Sequence, residues 1–148
     1  MIVEINFDII YPIWRDLLWP NRTSPIESTS AMNFLGDYDI KNMNYKPTFF
    51  AYIYSNQIAG VNSGHLCFDN SYRSRGLYVS ENFRKKGIGL ALLQKTIEQA
   101  INENAKFVWS YPRQQSWMTY ERAGFKLESC WENSEQGINA YCKKDLKD

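Results

Sequence analysis

The sequence predicts a domain of the α/β (α+β) class, in which helices and strands share one core. Two β-rich segments, Thr48–Tyr54 and Gln57–Leu66, are separated only by Ser55 and Asn56, which predicts a hairpin. Residues 88–101 then place apolar side chains on one face at helical spacing. Shorter strand and helix patterns follow toward the end of the chain.

The remaining elements follow from the same patterns. Further strands are predicted at residues 2–5, 73–79, 107–110, 125–131 and 138–143. Further helices are predicted at residues 11–19 and 116–123, ended by Pro20 and Gly124. Residues 21–30 are rich in loop formers, and Ser30 is expected to cap a short turn through residues 31–35. No internal repeat or linker interrupts this order, so we expect one domain spanning residues 1–148.

Composition argues against several classes of protein. Seventeen basic and sixteen acidic residues leave a net charge of +1, so no global field recruits nucleic acid or an anionic membrane. The three cysteines, Cys67, Cys130 and Cys142, form no Cys-x-x-Cys pair, which argues against a zinc site or a disulfide framework. The N-terminus has no basic region followed by a long apolar run, and no window approaches about 18 apolar residues. We therefore expect a cytoplasmic protein without a membrane anchor.

The most informative segment lies between the strand at residues 73–79 and the helix that follows it. It reads Arg84-Lys85-Lys86-Gly87-Ile88-Gly89. Two glycines let the backbone pass close to a ligand, and the following helix directs unpaired N–H groups and its positive dipole end toward the loop. These features predict an anion site. A purely structural turn is the alternative, because glycine turns before helices are common.

Another segment, after the next buried strand, reads Tyr120-Glu121-Arg122-Ala123-Gly124-Phe125. Together with residues 77–89, it resembles the GCN5-related N-acetyltransferase (GNAT) family. Residues 77–89 are similar to the family's acetyl-CoA motif, and residues 120–125 are similar to its Tyr-Glu-Lys-x-Gly-Phe segment. The resemblance covers residues 48–142 well and the first 47 residues only by position. It implies a single-domain GNAT fold, with a mixed, mostly antiparallel twisted sheet, flanking helices and a splayed strand pair that binds acyl-CoA.

The resemblance also implies which residues bind acetyl-CoA, the co-substrate. Backbone N–H groups of residues 85–90 would bind the pyrophosphate, and the Arg84 and Lys85 side chains would add charge. The pantetheine arm would lie beside the strand that contains Leu77 and Val79, where a free N–H would polarise the thioester carbonyl. The full predicted set is Leu77, Tyr78, Val79, Arg84, Lys85, Lys86, Gly87, Ile88, Gly89 and Leu90. No metal is implied.

Tyr120 is the predicted general acid. It matches the family's tyrosine that protonates the departing thiolate of coenzyme A, and a phenol stays protonated at neutral pH. A packing tyrosine is the alternative in a chain that has ten of them. The general base stays open: His65, the only histidine, titrates in the right range but is also a candidate structural residue. Glu121 is a second candidate base, with a surface residue as the alternative, and some family members use only ordered water.

Arginines mark the predicted acceptor site. Many family members carry an asparagine that contacts the cofactor seven residues before the motif tyrosine, and an alanine four residues before it. This chain has Arg113 and Ser116 at those two positions. That cofactor contact is therefore not carried over. Arg73 and Arg75 alternate on one strand and would project to the same face. With Arg113 they predict a cationic pocket for a carboxylate or phosphate on the acceptor, solvated or ion-paired arginines being the alternative.

The leading hypothesis is an acetyl-CoA-dependent N-acetyltransferase that moves an acetyl group to a primary amine by direct transfer in a ternary complex. Residues 17–27, which include Trp19 and Arg22, lie where the family places its acceptor site, so both are predicted to bind substrate. An acceptor with an acidic group is the first candidate. The alternatives are a noncatalytic acyl-CoA-binding sensory or regulatory module and, more weakly, a nucleic-acid surface at residues 84–86. An exposed closing strand would allow a homodimer.

Overall fold

A seven-stranded sheet forms the centre of the computed structural model, which describes residues 1–146. The strands are β1 (Ile2–Ile5), β2 (Thr48–Tyr54), β3 (Gln57–Leu66), β4 (Tyr72–Val79), β5 (Phe107–Ser110), β6 (Lys126–Leu127), β7 (Glu132–Ser134), β8 (Gly137–Asn139) and β9 (Cys142–Asp145). The helices are α1 (Phe7–Ile13), α2 (Ile88–Asn102) and α3 (Trp117–Arg122). Short 3₁₀ turns lie at Phe34–Gly36, Ile40–Asn44, Glu81–Phe83 and Gln114–Ser116.

The sheet is mixed and mostly antiparallel. Its order is β1-β2-β3-β4-β5-β9-β6, and of these neighbouring pairs β4 and β5 alone run parallel. The predicted fold class is thus confirmed, as is the hairpin of β2 and β3. Both central turn residues, Ser55 and Asn56, have positive φ (51° and 61°), as a two-residue hairpin turn of type I′ requires. No helix among residues 1–146 is both long enough and apolar enough to cross a membrane.

The only parallel pair in the described part of this sheet separates almost as soon as it forms. Strands β4 and β5 are paired at two positions, Tyr72 with Val108 and Arg73 with Trp109. Strand β5 then ends at Ser110, whereas β4 continues to Val79. Beyond Arg73, the edge of β4 that faces β5 is therefore not covered by a paired strand. This opening is the splayed strand pair that the sequence predicts.

A bulge in β4 lies within the opening. The register between β3 and β4 shifts between Val61 and Ser63, and opposite this shift Gly76 has φ of 81°. The Trp14 indole N–H donates to the Gly76 carbonyl at 2.9 Å. A Cβ on Gly76 would lie 2.4 Å from atoms of the Trp14 ring, so only glycine allows this approach.

The two faces of the sheet carry separate parts of the core. Helix α2 covers one face, where Leu92 and Ile88 pack against Leu77 and Val79. Helix α1 covers the other face, where the buried residues are Ile10, Trp14, Leu18, Phe49, Ala51 and Val61. Tyr78 packs with the residues beneath α1. The bulge thus changes which β4 residues face each helix.

Two predicted elements differ from the structure at their ends. The first helix begins at Phe7, four residues before the predicted start, and continues as a π-helical turn through Trp14–Leu18. Pro12 lies inside α1 and has no N–H to donate, and the Trp19 N–H bonds to the Trp14 carbonyl five residues back at 2.7 Å. The predicted turn after Ser30 is also displaced, because the 3₁₀ turn lies at Phe34–Gly36.

The prediction of two closing strands, at residues 125–131 and 138–143, was wrong. The structure has the four short strands β6 to β9 there. The N–H of Tyr141 bonds to the Ser129 hydroxyl at 2.8 Å, and the N–H of Ala140 bonds to the Pro112 carbonyl at 3.3 Å. Because these groups are taken by other partners, one ladder cannot run the whole length, and β7 and β8 form a separate hairpin.

Replacing Gly76 by alanine tests the bulge. We expect Gly76→Ala to lower the free energy of unfolding by about 2 to 4 kcal/mol, because it combines positive φ with overlap against Trp14. Gly137→Ala is the matched control: its φ is 116° but nothing lies within 4 Å, so about 1 to 2 kcal/mol is expected. Urea unfolding measures both, and equal losses would contradict the proposed packing of Trp14 on Gly76.

Candidate active site

A cavity of about 540 Å³ lies where β4 and β5 separate. Its walls come from β4, from the residues after β5, from the β7–β8 hairpin and from residues 18–38. All five predicted acceptor-binding residues line it: Trp19, Arg22, Arg73, Arg75 and Arg113. Tyr120 and Leu77 line the same cavity. The structure therefore brings the predicted acceptor residues and the predicted general acid together, and their roles remain predictions.

Arg75 is buried among aromatic rings, with 4% of its surface exposed. Its guanidinium lies 4.9 Å from the centre of the Trp14 ring and 5.4 Å from that of Trp19. One of its N–H groups donates to the Glu27 carbonyl at 2.8 Å. Burial, followed by repulsion from Arg73 and Arg22, holds the pKa of Arg75 well below its ordinary value.

Arg73 stands beside Arg75 on the same face of β4 and has fewer partners. Its guanidinium lies 5.0 Å from the centre of the Trp109 ring. Its Nε is buried and has no hydrogen-bond partner among residues 1–146. Burial lowers the pKa of Arg73 to about 10, which still leaves the guanidinium charged at neutral pH.

The cavity has a positive interior and two carboxylates among its other wall residues. Within residues 1–146, no ion pair joins a carboxylate to any of the four arginines of the cavity. Glu132 instead accepts a hydrogen bond from the Tyr111 hydroxyl at 3.2 Å, and Glu135 accepts one from the Thr23 N–H at 3.3 Å. Both glutamates are exposed on the β7–β8 hairpin. The cavity can therefore bind an anionic group without first displacing a protein carboxylate from these arginines.

Tyr120 lines the cavity from the face of the sheet that α2 covers, opposite the face that carries Arg73 and Arg75. Its ring is buried in the core beneath α2 and packs edge-on against Phe125, with ring centres 5.5 Å apart. Burial raises the pKa of the Tyr120 phenol above its ordinary value, an effect that a hydrogen bond with Ser110 opposes. The phenol is thus protonated throughout the neutral range and can donate its proton to a leaving group.

The loop before α2 presents a row of unpaired backbone amides. No hydrogen bond within residues 1–146 uses an N–H of residues 85–90 as its donor. Lys85 and Gly87 have φ of 64° and 78°, and alternation of this kind turns successive N–H groups toward a common point. Six free amides at the start of a 15-residue helix fit a diphosphate.

The open edge of β4 supplies further backbone groups. The Ser80 N–H bonds to the Ala59 carbonyl at 2.8 Å, and Val79 is the residue before it. Because alternate residues of a strand direct their backbone groups to opposite sides, the N–H and carbonyl of Val79 point away from β3, into the opening. The Arg84 Nε donates to the Val79 carbonyl at 2.9 Å. Arg84 is thus turned back onto β4, whereas the Lys86 Nζ lies 5.7 Å from the centre of the Tyr54 ring.

His65 is fully buried and does not line the cavity, although its hydrogen-bond partner Ser30 does. Its Nε2 accepts from the Ser30 N–H at 3.3 Å, and its Nδ1 is 2.9 Å from the Leu66 carbonyl. Because a carbonyl can only accept, this pairing selects the neutral tautomer with its proton on Nδ1. Burial lowers the pKa of His65 to about 3. Both ring nitrogens of His65 form hydrogen bonds within the fold, and we give His65 no part in the mechanism proposed below. Glu121 is exposed on α3 and does not line the cavity either.

Sequence reasoning missed several residues that shape the site. Trp14 and Trp109 hold the guanidinium groups, and Ser110 contacts both β4 and Tyr120. Their side chains meet the site only because of the sheet order, so no local pattern indicates them. Glu132 and Tyr111 were missed for the same reason. Among residues 1–146, no group of three or more histidine, cysteine, aspartate or glutamate side chains could hold a metal ion.

Comparisons with known proteins identify the family and the fold. The model of the acetyltransferase (GNAT) family matches residues 11–125. An acetyltransferase of the GNAT family from Staphylococcus aureus Mu50 is 17% identical, with a TM-score of 0.68 and 99% of each chain covered. Ribosomal-protein-alanine N-acetyltransferase from Brucella melitensis is 17% identical, with a TM-score of 0.69 and 99% of each chain covered.

A third structure is that of an aminoglycoside 6′-N-acetyltransferase complexed with coenzyme A. It is 14% identical, with a TM-score of 0.71, and the match covers 98% of this chain and 96% of that one. At these identities the structural likeness shows the fold alone. No significant sequence match was found among curated proteins.

The family match spans most of the chain, and the structure has the fold of the compared acetyltransferases. The protein is therefore an acyl-group-transferring enzyme. It belongs to the GNAT family of N-acetyltransferases.

Arg73→Met tests whether the positive interior is maintained at the expense of stability. We expect the variant to raise the free energy of unfolding by about 1 to 3 kcal/mol, because a partly buried cation without a carboxylate partner is replaced by an apolar chain of similar length. Urea unfolding at pH 7 measures the change. Arg15→Met, at an exposed pair with Asp16, is the control and should leave the midpoint unchanged. A lower midpoint for Arg73→Met would show that Arg73 stabilises the fold.

The buried His65 predicts a specific dependence of stability on pH. Below the ordinary pKa of 6.5, the unfolded chain binds a proton that the folded chain does not bind until about pH 3. The wild type should therefore lose about 1.4 kcal/mol per pH unit, relative to His65→Asn, as the pH falls below about 5.5. Urea unfolding of both proteins from pH 8 to pH 4 measures the difference. A difference that is constant with pH would contradict the neutral, buried histidine.

Proposed function

We propose that the protein transfers the acetyl group of acetyl-CoA to the primary amine of a small acceptor that carries an acidic group. The observation that supports this proposal best is the position of the arginine-lined cavity at the opening between β4 and β5, with Tyr120 in its wall. One end of the opening fits the donor, and the cavity fits an anionic acceptor. Direct transfer in a ternary complex requires the two to meet there.

The donor side follows from the backbone. The free amides of residues 85–90 would bind the diphosphate, with charge from Arg84, Lys85 and Lys86 nearby. The free edge of β4 from Leu77 to Val79 would hold the pantetheine arm as an added strand is held, with the backbone groups of Val79 facing the arm and those of Tyr78 facing β3. This arrangement directs the thioester toward Tyr120 and the cavity.

The proposed mechanism uses two groups of the chain, a backbone amide of β4 and the Tyr120 hydroxyl. A β4 amide N–H at the open edge stabilises the negative charge that grows on the acetyl carbonyl oxygen. The amine nitrogen forms a bond to the acetyl carbon, the carbon–sulfur bond breaks, and the Tyr120 hydroxyl gives its proton to the departing sulfur. The proton lost by the amine passes to water, and Tyr120 recovers its proton from solvent. No side-chain base is needed in this scheme.

The charge of the cavity limits the acceptor. Four arginines line its wall, so a polycationic acceptor such as an aminoglycoside would be repelled, whereas an acidic group would be attracted. The volume of about 540 Å³ is in the range of small-molecule sites and must also admit the acetyl end of the donor. These two properties support a small acidic amine.

Tyr120→Phe tests the assigned general acid. We expect kcat to fall by a factor of about 100 or more, because the thiolate would leave without a proton, while the Kd for acetyl-CoA stays within about twofold. Thiol release with saturating acceptor and calorimetric titration with acetyl-CoA measure the two quantities. Tyr45→Phe, outside the cavity, is the control. Unchanged turnover in Tyr120→Phe would remove the tyrosine from this role.

The acceptor class is tested by thiol release over amines grouped as acidic, neutral and polycationic. The proposal predicts the highest kcat/KM in the acidic group and the lowest in the polycationic group. Binding of acetyl-CoA without thiol release from any amine in the panel would contradict the proposed transfer.

A further inference from the structure

The four arginines of the cavity differ in what their guanidinium groups already hold. Arg75, Arg22 and Arg113 each donate to backbone carbonyl oxygens within residues 18–27. Arg22 also bonds to the Ser24 hydroxyl at 3.0 Å and lies 4.9 Å from the centre of the Trp19 ring. Arg75 and Arg113 fasten the segment of residues 18–27 from outside it, and Arg22 braces the same segment from within, so the donors of all three are partly used by the fold.

In the part of the chain that the structure describes, the guanidinium of Arg73 makes no such hydrogen bonds to backbone carbonyls. No hydrogen bond within residues 1–146 uses its guanidinium, and its buried Nε has no partner. The Trp109 ring supports its flat face at 5.0 Å and leaves the N–H edges free. A free, supported guanidinium that lines a cavity is a binding group for an oxyanion.

Arg73 is also close to the predicted reaction centre. Arg73 and Trp109 form the last pair before β4 and β5 separate. The next residue of β5, Ser110, donates to the Ser74 carbonyl at 2.8 Å and lies beside Tyr120 in the wall of the cavity. Arg73 and Tyr120 both line the cavity at this end of β5. An anion on Arg73 would therefore share the cavity with an amine that attacks beside Tyr120, so both groups can belong to one small acceptor.

The chemistry of one free guanidinium distinguishes between acids. A carboxylate carries one charge and two coplanar oxygens, which match a single planar guanidinium edge. A phosphate monoester carries up to two charges and a third oxygen, which would need a further free cation. Among the arginines of the described cavity, the other three already hold carbonyl oxygens. The match therefore favours a carboxylate.

We infer that Arg73 binds a carboxylate of the acceptor directly and that this carboxylate lies only a few bonds from the reacting amine. The acceptor is then a small amino acid or a similar zwitterion. This inference rests on the proposed function and narrows it, since it names the substrate class and the residue that selects it. Arg75, Arg22 and Arg113 hold the surrounding wall in place.

Thiol-release kinetics test the inference. The probes are common L-amino acids, the C-terminal amide of each, β-alanine and phosphoethanolamine. We expect kcat/KM to be higher for the best amino acid than for its amide and than for phosphoethanolamine. Arg73→Gln should lower kcat/KM for that acid roughly 10- to 100-fold, mainly through KM, and leave the amide nearly unchanged. Arg73→Lys keeps the charge and should restore part of the loss, whereas Arg15→Gln, at the exposed pair with Asp16, should behave as wild type.

A binding measurement gives a readout that does not depend on turnover. The N-acetyl form of the preferred amino acid, or N-acetylglycine if none is preferred, is titrated calorimetrically into each protein with coenzyme A present. We expect binding by wild type and at least roughly tenfold weaker binding by Arg73→Gln, with circular dichroism checking that the variant is folded. Equal binding by folded Arg73→Gln would overturn the inference.

The outcomes separate this inference from the proposed function. Transfer to neutral amines as fast as to amino acids, with no effect of Arg73→Gln, overturns the role of Arg73 and leaves acetyl transfer standing. Preference for phosphoethanolamine overturns the carboxylate. Absence of transfer to every amine contradicts the proposed function, and the binding titration then still decides whether Arg73 holds a carboxylate.

Discussion

The Trp14 indole donates a hydrogen bond to the Gly76 carbonyl, across 62 positions of the chain, and the site depends on this contact. It ties α1 and the π-helical turn to the β4 bulge, where only glycine can accept the ring. Before the bulge, β4 turns Arg73 and Arg75 toward the cavity. After it, Leu77 and Val79 pack under α2. One contact thus positions both the proposed acceptor wall and the proposed donor edge.

The positive charges of the cavity lower the stability of the fold. Guanidinium groups are partly removed from water and repel one another, and no carboxylate pairs with them within residues 1–146. Stacking on Trp14, Trp19 and Trp109 and bonds to backbone carbonyls offset part of that cost. Such an arrangement is typical of a site that is completed by an anionic ligand. Under the proposed function, the same field would repel a polycationic acceptor.

Local sequence patterns were sufficient to predict those elements whose conformation depends on residues a few positions apart. The β2–β3 hairpin, α2 and the glycine loop before it were predicted because turn chemistry and periodicity act within a few residues. The closing strands were mispredicted because the Pro112 carbonyl, outside both segments, takes the Ala140 N–H, and a side chain, the Ser129 hydroxyl, takes the Tyr141 N–H. Alternation on β4 predicted that Arg73 and Arg75 share a face. Trp14, Trp109 and Ser110 join them only through the sheet order, which one sequence does not display.

The proposed donor site consists of the free amides of residues 85–90 and the open edge of β4. Amide NMR during titration with coenzyme A tests this placement directly. We expect the largest shifts on the N–H groups of Lys85 to Leu90 and of Leu77 to Val79, with the N–H groups of residues 57–66 moving little. Large shifts elsewhere in the chain, with these amides unchanged at saturation, would contradict this placement.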